Sequence, residues 1–255
     1  MRRSLYTLGV TFILFSVGGA AFWQWSKKVE QALPHKEAKM ELLGPVFKPA
    51  EGKAPKKLVV VLHGYGADAE NLWPVGYEIS KALPEAEVLV PNGFDPCEGS
   101  VGGRQWFKMG RWTLPEWRAQ LAQTKTRFDA YLMPILSELH LSIKDVAFVG
   151  FSQGGMMALH FGILYGIQAV VCFSGVFVDP NVLDQSPSLP HILLVHGDSD
   201  PVIPPKAFFQ AQEILRAQNA PFEASMQPNL DHSINVDGLQ RACLFLKQYI
   251  AISPQ

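Results

Sequence analysis

The sequence predicts an α/β fold, a doubly wound and mostly parallel sheet flanked by helices. From Lys57 onward, short apolar runs rich in β-branched residues alternate with longer stretches that carry apolar residues at helical spacing. Continuous apolar runs are typical of strands buried on both faces of a parallel sheet. The strand candidates are 58–62, 88–90, 146–150, 169–173 and 192–195, with an extended segment at 222–226. The helix candidates are 69–83, 115–139, 154–164, 206–218 and 237–250. In such folds the ligand-binding and catalytic residues lie just after the strands, at their carboxyl ends.

Composition narrows the class of protein. Of 255 residues, 48% are hydrophobic and 18% charged, which excludes a disordered chain and is ample for a buried core. Lys and Arg number 22 against 23 Asp and Glu, so no basic surface for nucleic acid is expected. The three cysteines are far apart in the sequence and form no CxxC or Cys/His metal pattern. The cysteines therefore indicate no metal site, and no metal or organic cofactor is expected.

The N-terminal residues predict a membrane segment. Residues 4–26 are uncharged, and as a helix they would span ~34 Å, enough for a ~30 Å hydrocarbon core. A single-pass anchor is the favoured interpretation, which implies a membrane-associated protein. The alternative is a cleaved signal peptide with small residues at 18–21 as the cleavage zone, which implies a secreted or periplasmic protein. Residues 27–56 are polar and contain prolines, as in a tether, and 40–47 could add an edge strand to the sheet.

A candidate nucleophile follows the strand at 146–150. Gly150-Phe151-Ser152-Gln153-Gly154 is a G-x-S-x-G sequence between a predicted strand and a predicted helix. In this setting the serine sits on a tight turn that exposes its hydroxyl, and glycines occupy positions where a Cβ would clash.

A candidate acid and base follow later strands. Asp198 and Asp200 come just after the strand at 192–195, where a carboxylate can orient an imidazole. His232 lies in a polar loop before the last helix, which suits a histidine that must exchange protons. The chain order is then Ser, Asp, His, with either aspartate as the acid.

Two backbone N–H groups are candidates for stabilising a tetrahedral oxyanion. One belongs to Gln153, directly after the serine, and the other to Tyr65, held between Gly64 and Gly66 after the first strand. Residues 64–69 also match a relaxed GxGxxA dinucleotide fingerprint. The acidic residue expected at the end of the second strand is missing, which argues against a dinucleotide site.

These residues resemble a known family. The motifs LHGYGAD, GRQWF, GFSQGG, HGDSDPVIP and DHSI, in this order, are similar to those of the phospholipase/carboxylesterase family of α/β-hydrolases. The resemblance covers nearly all of a catalytic domain placed at 57–252 and excludes the N-terminal segment. It implies Ser152 as nucleophile, Asp200 rather than Asp198 as the acid, and His232 as base. It also implies Tyr65 and Gln153 as the oxyanion donors.

The resemblance also sets the expected substrates. It implies that Trp106 and Phe107, in a long glycine-rich loop, wall an acyl pocket. Residues 174–190 are too few for a large helical cap, so we expect an open site that takes small-molecule or lipid esters or thioesters of short to medium acyl chains. Acyl-protein thioesterase or lysophospholipase specificity is the alternative within the family. Outside it, a membrane-tethered, non-catalytic binding protein would keep the fold without the chemistry, and a serine peptidase would need an extra domain.

Overall fold

A computed structural model describes residues 44–50, 52–110 and 112–250, which form a seven-stranded sheet and a two-stranded antiparallel ribbon. The strands are β1 Val46–Phe47, β2 Lys57–Leu62, β3 Ala86–Leu89, β4 Asp95–Pro96, β5 Arg104–Gln105, β6 Val146–Phe151, β7 Ala169–Phe173, β8 His191–Gly197 and β9 Phe222–Gln227. The sheet order is β1-β3-β2-β6-β7-β8-β9. Strand β1 is antiparallel to β3, and the other neighbouring pairs are parallel. Strands β4 and β5 form the ribbon.

Helices cover both faces of the sheet. They are α1 Ala69–Ala82, α2 Leu114–Leu139, α3 Gln153–Tyr165, α4 Lys206–Ala217 and α5 Val236–Ile250. Because side chains alternate along a strand, Val59 and Val61 of β2 join the core under α1 and α5. Leu58, Val60 and Leu62 join the core under α2, α3 and α4. The predicted doubly wound sheet, with helices on both faces, is confirmed.

The strand order reverses between β2 and β6. From β2 the chain moves to β3 on one side, and it then returns to β6 on the other side of β2. The loops that leave two neighbouring parallel strands diverge at such a switch point, and the crevice between them is where open α/β sheets bind ligands. The loop after β2 begins at His63, and the turn after β6 contains Ser152.

The predicted strands and helices agree with the observed ones to within two residues at each end. Strand β1 falls inside 40–47, where an edge strand was expected. Residues 174–190, between β7 and β8, contain one short 3₁₀ helix, Pro180–Gln185, so the expectation of no large cap is confirmed.

The predicted anchor or signal segment at 4–26 lies outside the described residues, as does most of the predicted tether. Among the helices that are described, none combines the length and apolar character needed to cross a bilayer.

Candidate active site

The turn that carries Ser152 is sterically forced. Ser152 has φ 53° and ψ −116°, a backbone conformation that costs a non-glycine residue about 1–3 kcal/mol and persists only where the surroundings impose it. A Cβ on Gly150 would lie 2.0 Å from the carbonyl oxygen of Gly154. A Cβ on Gly154 would lie 2.0 Å from that of Leu62. The glycines of the motif therefore let strand β6, helix α3 and strand β2 meet at one point.

Hydrogen bonds hold this turn in place. The N–H of Ser152 donates to the carbonyl of Phe173 at the end of β7, 2.9 Å away. The Ser152 carbonyl accepts from the N–H of Met156 at 3.0 Å, the first bond of helix α3. The hydroxyl is thus carried on a rigid connection between the central strands and a buried helix.

Asp200 and His232 form a close pair at the neighbouring strand ends. Nδ1 of His232 lies 2.8 Å from Oδ2 of Asp200. The other carboxylate oxygen, Oδ1, accepts from the N–H groups of Val202 and Ile203 at 2.9 and 2.8 Å. Burial disfavours the carboxylate, but the hydrogen bond and charge of His232 and these two N–H donors outweigh it. The pKa of Asp200 is therefore lowered, and the group is ionised at neutral pH.

The structure separates the two aspartates that the chain order left as alternatives. Oδ1 of Asp198 accepts from the Ser199 hydroxyl and from the N–H of Asn229, both at 2.8 Å. Asp198 thereby ties the loop before His232 to the end of β8. Asp200 instead faces the imidazole, with His196 Nε2 also 3.5 Å from its Oδ2.

His232 lies beside the serine turn. Its ring packs against the ring of Phe151, the residue before Ser152, with centroids 4.8 Å apart. Among the described residues, the hydrogen bonds of His232 and Ser152 do not include one between them. Hydrogen bonds between a nucleophile and its general base are often long without substrate and tighten when substrate binds.

The two predicted oxyanion donors flank the serine. A Cβ on Gly64 would lie 3.3 Å from the Ser152 Cβ, so the loop that carries Tyr65 approaches the serine closely. The N–H of Gln153 is at the first position of helix α3, where backbone N–H groups have no acceptor within the helix. Within the described chain, the N–H groups of Gly66 and Ala67 have backbone acceptors, and that of Tyr65 has none.

The phenol of Tyr65 is turned to another neighbour. Burial, then a hydrogen bond with Cys97, raises the pKa of Tyr65 to about 12. The Tyr65 side chain is therefore neutral at neutral pH.

Trp106 and Phe107 lie in the hydrophobic core. Each side chain is 2% exposed. The Trp106 ring meets Phe94 edge-on at 5.5 Å within the core, and Phe107 meets Trp117 edge-on at 5.6 Å. Their role as walls of an acyl pocket stays a prediction.

Sequence reasoning missed the roles of two side chains, His63 and Gln153, that brace the site. The His63 ring is fully buried, accepts from the N–H of Gly93 through Nε2 and lies 2.7 Å from the Gly64 carbonyl through Nδ1. Burial lowers the pKa of His63, so the ring is neutral with its proton on Nδ1. The Gln153 side chain, 1% exposed, bonds to the backbone of Trp106 and Phe107. The available signal was that His63 and Gln153 are polar and lie next to the turns after β2 and β6. Their hydrogen-bond partners, however, are distant in sequence.

No group of three or more His, Cys, Asp or Glu side chains is placed to hold a metal ion in residues 44–50, 52–110 and 112–250. Cys97, Cys172 and Cys243 are free thiols. Burial raises the pKa of the Cys172 thiol to about 12, so it is not a nucleophile at neutral pH.

Similarity to known proteins identifies the family of this chain. The model of the phospholipase/carboxylesterase family matches residues 48–250. Esterase YpfH of Escherichia coli (strain K12) is 25% identical over 205 residues, which cover 78% of this chain and 85% of that protein.

Solved structures show the same likeness. The crystal structure of esterase PE8 is similar with a TM-score of 0.75 and 32% identity, covering 82% of this chain and 100% of that one. The carboxylesterase from Mesorhizobium loti is similar in fold, with a TM-score of 0.64 and 20% identity over 82% of this chain and 97% of the other. The chain belongs to the phospholipase/carboxylesterase family of α/β-hydrolases and is a carboxylic ester hydrolase.

Proposed function

We propose that this hydrolase works through a Ser152–Asp200–His232 triad and an acyl-enzyme. The observation that carries the proposal is the buried Asp200 carboxylate, bonded to His232 Nδ1 at 2.8 Å, with the His232 ring against the turn that presents Ser152. Because Asp200 holds the proton on Nδ1, Nε2 is the free lone pair that can accept the serine proton.

The reaction then proceeds in two halves. His232 removes the Ser152 proton as the oxygen attacks the acyl carbon, and the N–H groups of Tyr65 and Gln153 stabilise the oxyanion. The tetrahedral intermediate expels the alcohol or thiol, which takes the proton from His232. Water, deprotonated by His232, attacks the acyl-enzyme, and the acid leaves as Ser152 regains its proton.

The proposed substrates are esters or thioesters of short to medium acyl chains. The short connection between β7 and β8 supports this, since it supplies no large cap to enclose a long chain. An acyl-protein thioesterase or lysophospholipase specificity is the alternative. If long-chain triglyceride emulsions gave the highest kcat/KM, the proposed substrate range would be wrong.

A panel of p-nitrophenyl esters and acyl thioesters tests the proposal with the wild type and Ser152→Ala. Wild type should turn over short to medium chains and react with a fluorophosphonate probe, and Ser152→Ala should do neither while remaining folded. A folded wild type that stays unlabelled would overturn the serine mechanism and favour a non-catalytic binding protein.

A further inference from the structure

The two proposed oxyanion donors come from distant parts of the chain. Tyr65 follows strand β2, and Gln153 opens helix α3 after strand β6. An oxyanion hole lowers the barrier only when its donors stand in place before the charge develops. Something must therefore hold the β2 loop at a fixed position relative to the serine turn.

A continuous series of buried hydrogen bonds joins these two segments through Trp106. The Trp106 N–H donates to Gln153 Oε1 at 2.9 Å, and Gln153 Nε2 donates to the Phe107 carbonyl at 2.8 Å. The Trp106 indole N–H donates to the His63 carbonyl at 2.8 Å. Trp106 thus bonds through its backbone to the serine turn and through its ring to the loop that carries Tyr65.

The orientation of the Tyr65 N–H is set at the same place. The Gly64 carbonyl and the Tyr65 N–H belong to one peptide unit, and the Gly64 carbonyl accepts from Nδ1 of His63 at 2.7 Å. The adjacent peptide unit contains the His63 carbonyl, to which Trp106 donates. Hydrogen bonds therefore hold two successive peptide planes, and the second of them contains the Tyr65 N–H.

The core keeps the indole rigid. Trp106 is 2% exposed, and its ring contacts the rings of Phe94, Phe128 and His63, with centroids 5.5, 6.5 and 5.1 Å away. Close packing of this kind limits how far the ring can shift if its hydrogen bond is lost.

We infer that Trp106 is a positioning residue that, with the Gln153 side chain and the His63 ring, sets the separation of the Tyr65 and Gln153 N–H donors. This inference rests on the proposed function, since it concerns the oxyanion hole of that site. This positioning role differs from that of a pocket wall. A residue that lines the acyl pocket would change the preference among acyl chain lengths, whereas a residue that positions the oxyanion donors would change kcat equally for every acyl chain.

Trp106→Phe tests the inference, because it keeps an aromatic ring and removes the indole N–H. A 1 Å displacement of catalytic groups can cost about 100-fold in rate, so kcat/KM should fall about 10- to 100-fold. The loss should be in kcat and equal across the p-nitrophenyl ester series, with KM changed less than about twofold. The inhibition constant of an alkyl trifluoromethyl ketone, which forms a tetrahedral oxyanion on the serine, should rise by the same factor as kcat falls.

Trp112→Phe is the matched control. This variant also removes an indole N–H, one that donates to the Lys108 carbonyl at 3.2 Å. Trp112 does not take part in the hydrogen bonds that join His63, Trp106 and Gln153. Wild-type kinetics and inhibition are expected for this variant.

Gln153→Glu is a second variant, needed if Trp106→Phe does not fold. The carboxylate can still accept from Trp106 but cannot donate to the Phe107 carbonyl, and the backbone N–H of residue 153 is unchanged. It should show the same loss in kcat and in trifluoromethyl ketone affinity.

The outcomes separate the two proposals. A wild type that neither turns over esters nor reacts with the fluorophosphonate would mean that the proposed serine mechanism is wrong. If the wild type is active, two results would overturn only the positioning role of Trp106. One is a folded Trp106→Phe with the same kinetics as Trp112→Phe, and the other is a Trp106→Phe whose loss of activity depends on acyl chain length. Should Trp106→Phe not fold, wild-type kcat and inhibition in Gln153→Glu would overturn it equally.

Discussion

Replacing Asp200 by Asn tests the proposed triad most directly, because the structure dictates how the new amide must lie. Oδ1 of Asp200 accepts two backbone N–H groups, at 2.9 and 2.8 Å. An amide NH₂ placed there would oppose two donors, so the carbonyl oxygen of Asn must keep that position. The NH₂ then faces His232 Nδ1, which the carboxylate oxygen now contacts at 2.8 Å.

That orientation reverses the imidazole tautomer. Nδ1 must become the acceptor, so the proton moves to Nε2, and Nε2 can no longer take the Ser152 proton. In serine hydrolases of this mechanism the same change lowers kcat about 10⁴-fold, which corresponds to ~5 kcal/mol of transition-state stabilisation. The fold should survive, because Asn keeps the shape of Asp and both N–H contacts.

Steady-state hydrolysis of a short-chain p-nitrophenyl ester measures the loss, with thermal unfolding as the check on folding. Asp198→Asn is the matched control. Its amide oxygen can still accept from Asn229, so its activity should stay within a few-fold of wild type. A folded Asp200→Asn that keeps more than a tenth of wild-type kcat/KM would refute the assignment of Asp200 as the acid that orients His232.

Three further predictions concern packing, pH and the membrane. Gly154→Ala would place a Cβ 2.0 Å from the Leu62 carbonyl oxygen. We therefore expect a free energy of unfolding about 3 kcal/mol lower in urea and little esterase activity. A variant as stable as wild type would contradict the steric account. Burial, opposed by the charge of Asp179, lowers the pKa of His160 from 6.5 to about 4. A lowered histidine pKa means that the unfolded state binds more protons than the folded state. His160 therefore lowers the free energy of unfolding by ~3 kcal/mol as pH falls from 6.5 toward 4, and has no such effect above pH 6.5. His160→Gln should therefore lose that much less stability than wild type between pH 7 and 4, and equal pH slopes would be evidence against it. Residues 4–26, if they form the predicted anchor, should keep the protein in the membrane pellet after carbonate extraction, and release into the supernatant would exclude a spanning helix.

Much of the fold was predictable because its signals are local. Buried parallel strands need continuous apolar runs, and amphipathic helices need apolar residues at helical spacing, so both patterns are visible within a few residues. The turn around Ser152 was equally visible, since only glycine at 150 and 154 leaves room for the backbone atoms that a Cβ would meet.

The choice between Asp198 and Asp200 did not follow from the residues alone. Both aspartates follow the same strand, and the resemblance to the family was needed to prefer one of them. The structure distinguishes them through their partners, since Asp198 binds the loop at Asn229 and Asp200 binds His232, 32 residues away.

What the sequence determined by itself is therefore the order of strands and helices, the glycine turns and the candidate residues after each strand, because each depends on neighbours along the chain. Only the tertiary structure decided how the loops are braced. Trp106 is 43 residues from His63 and 47 from Gln153, and its hydrogen bonds to both segments exist only in the folded chain. Hydrogen bonds of that range form where folding brings separate strand ends together, and no local pattern records them.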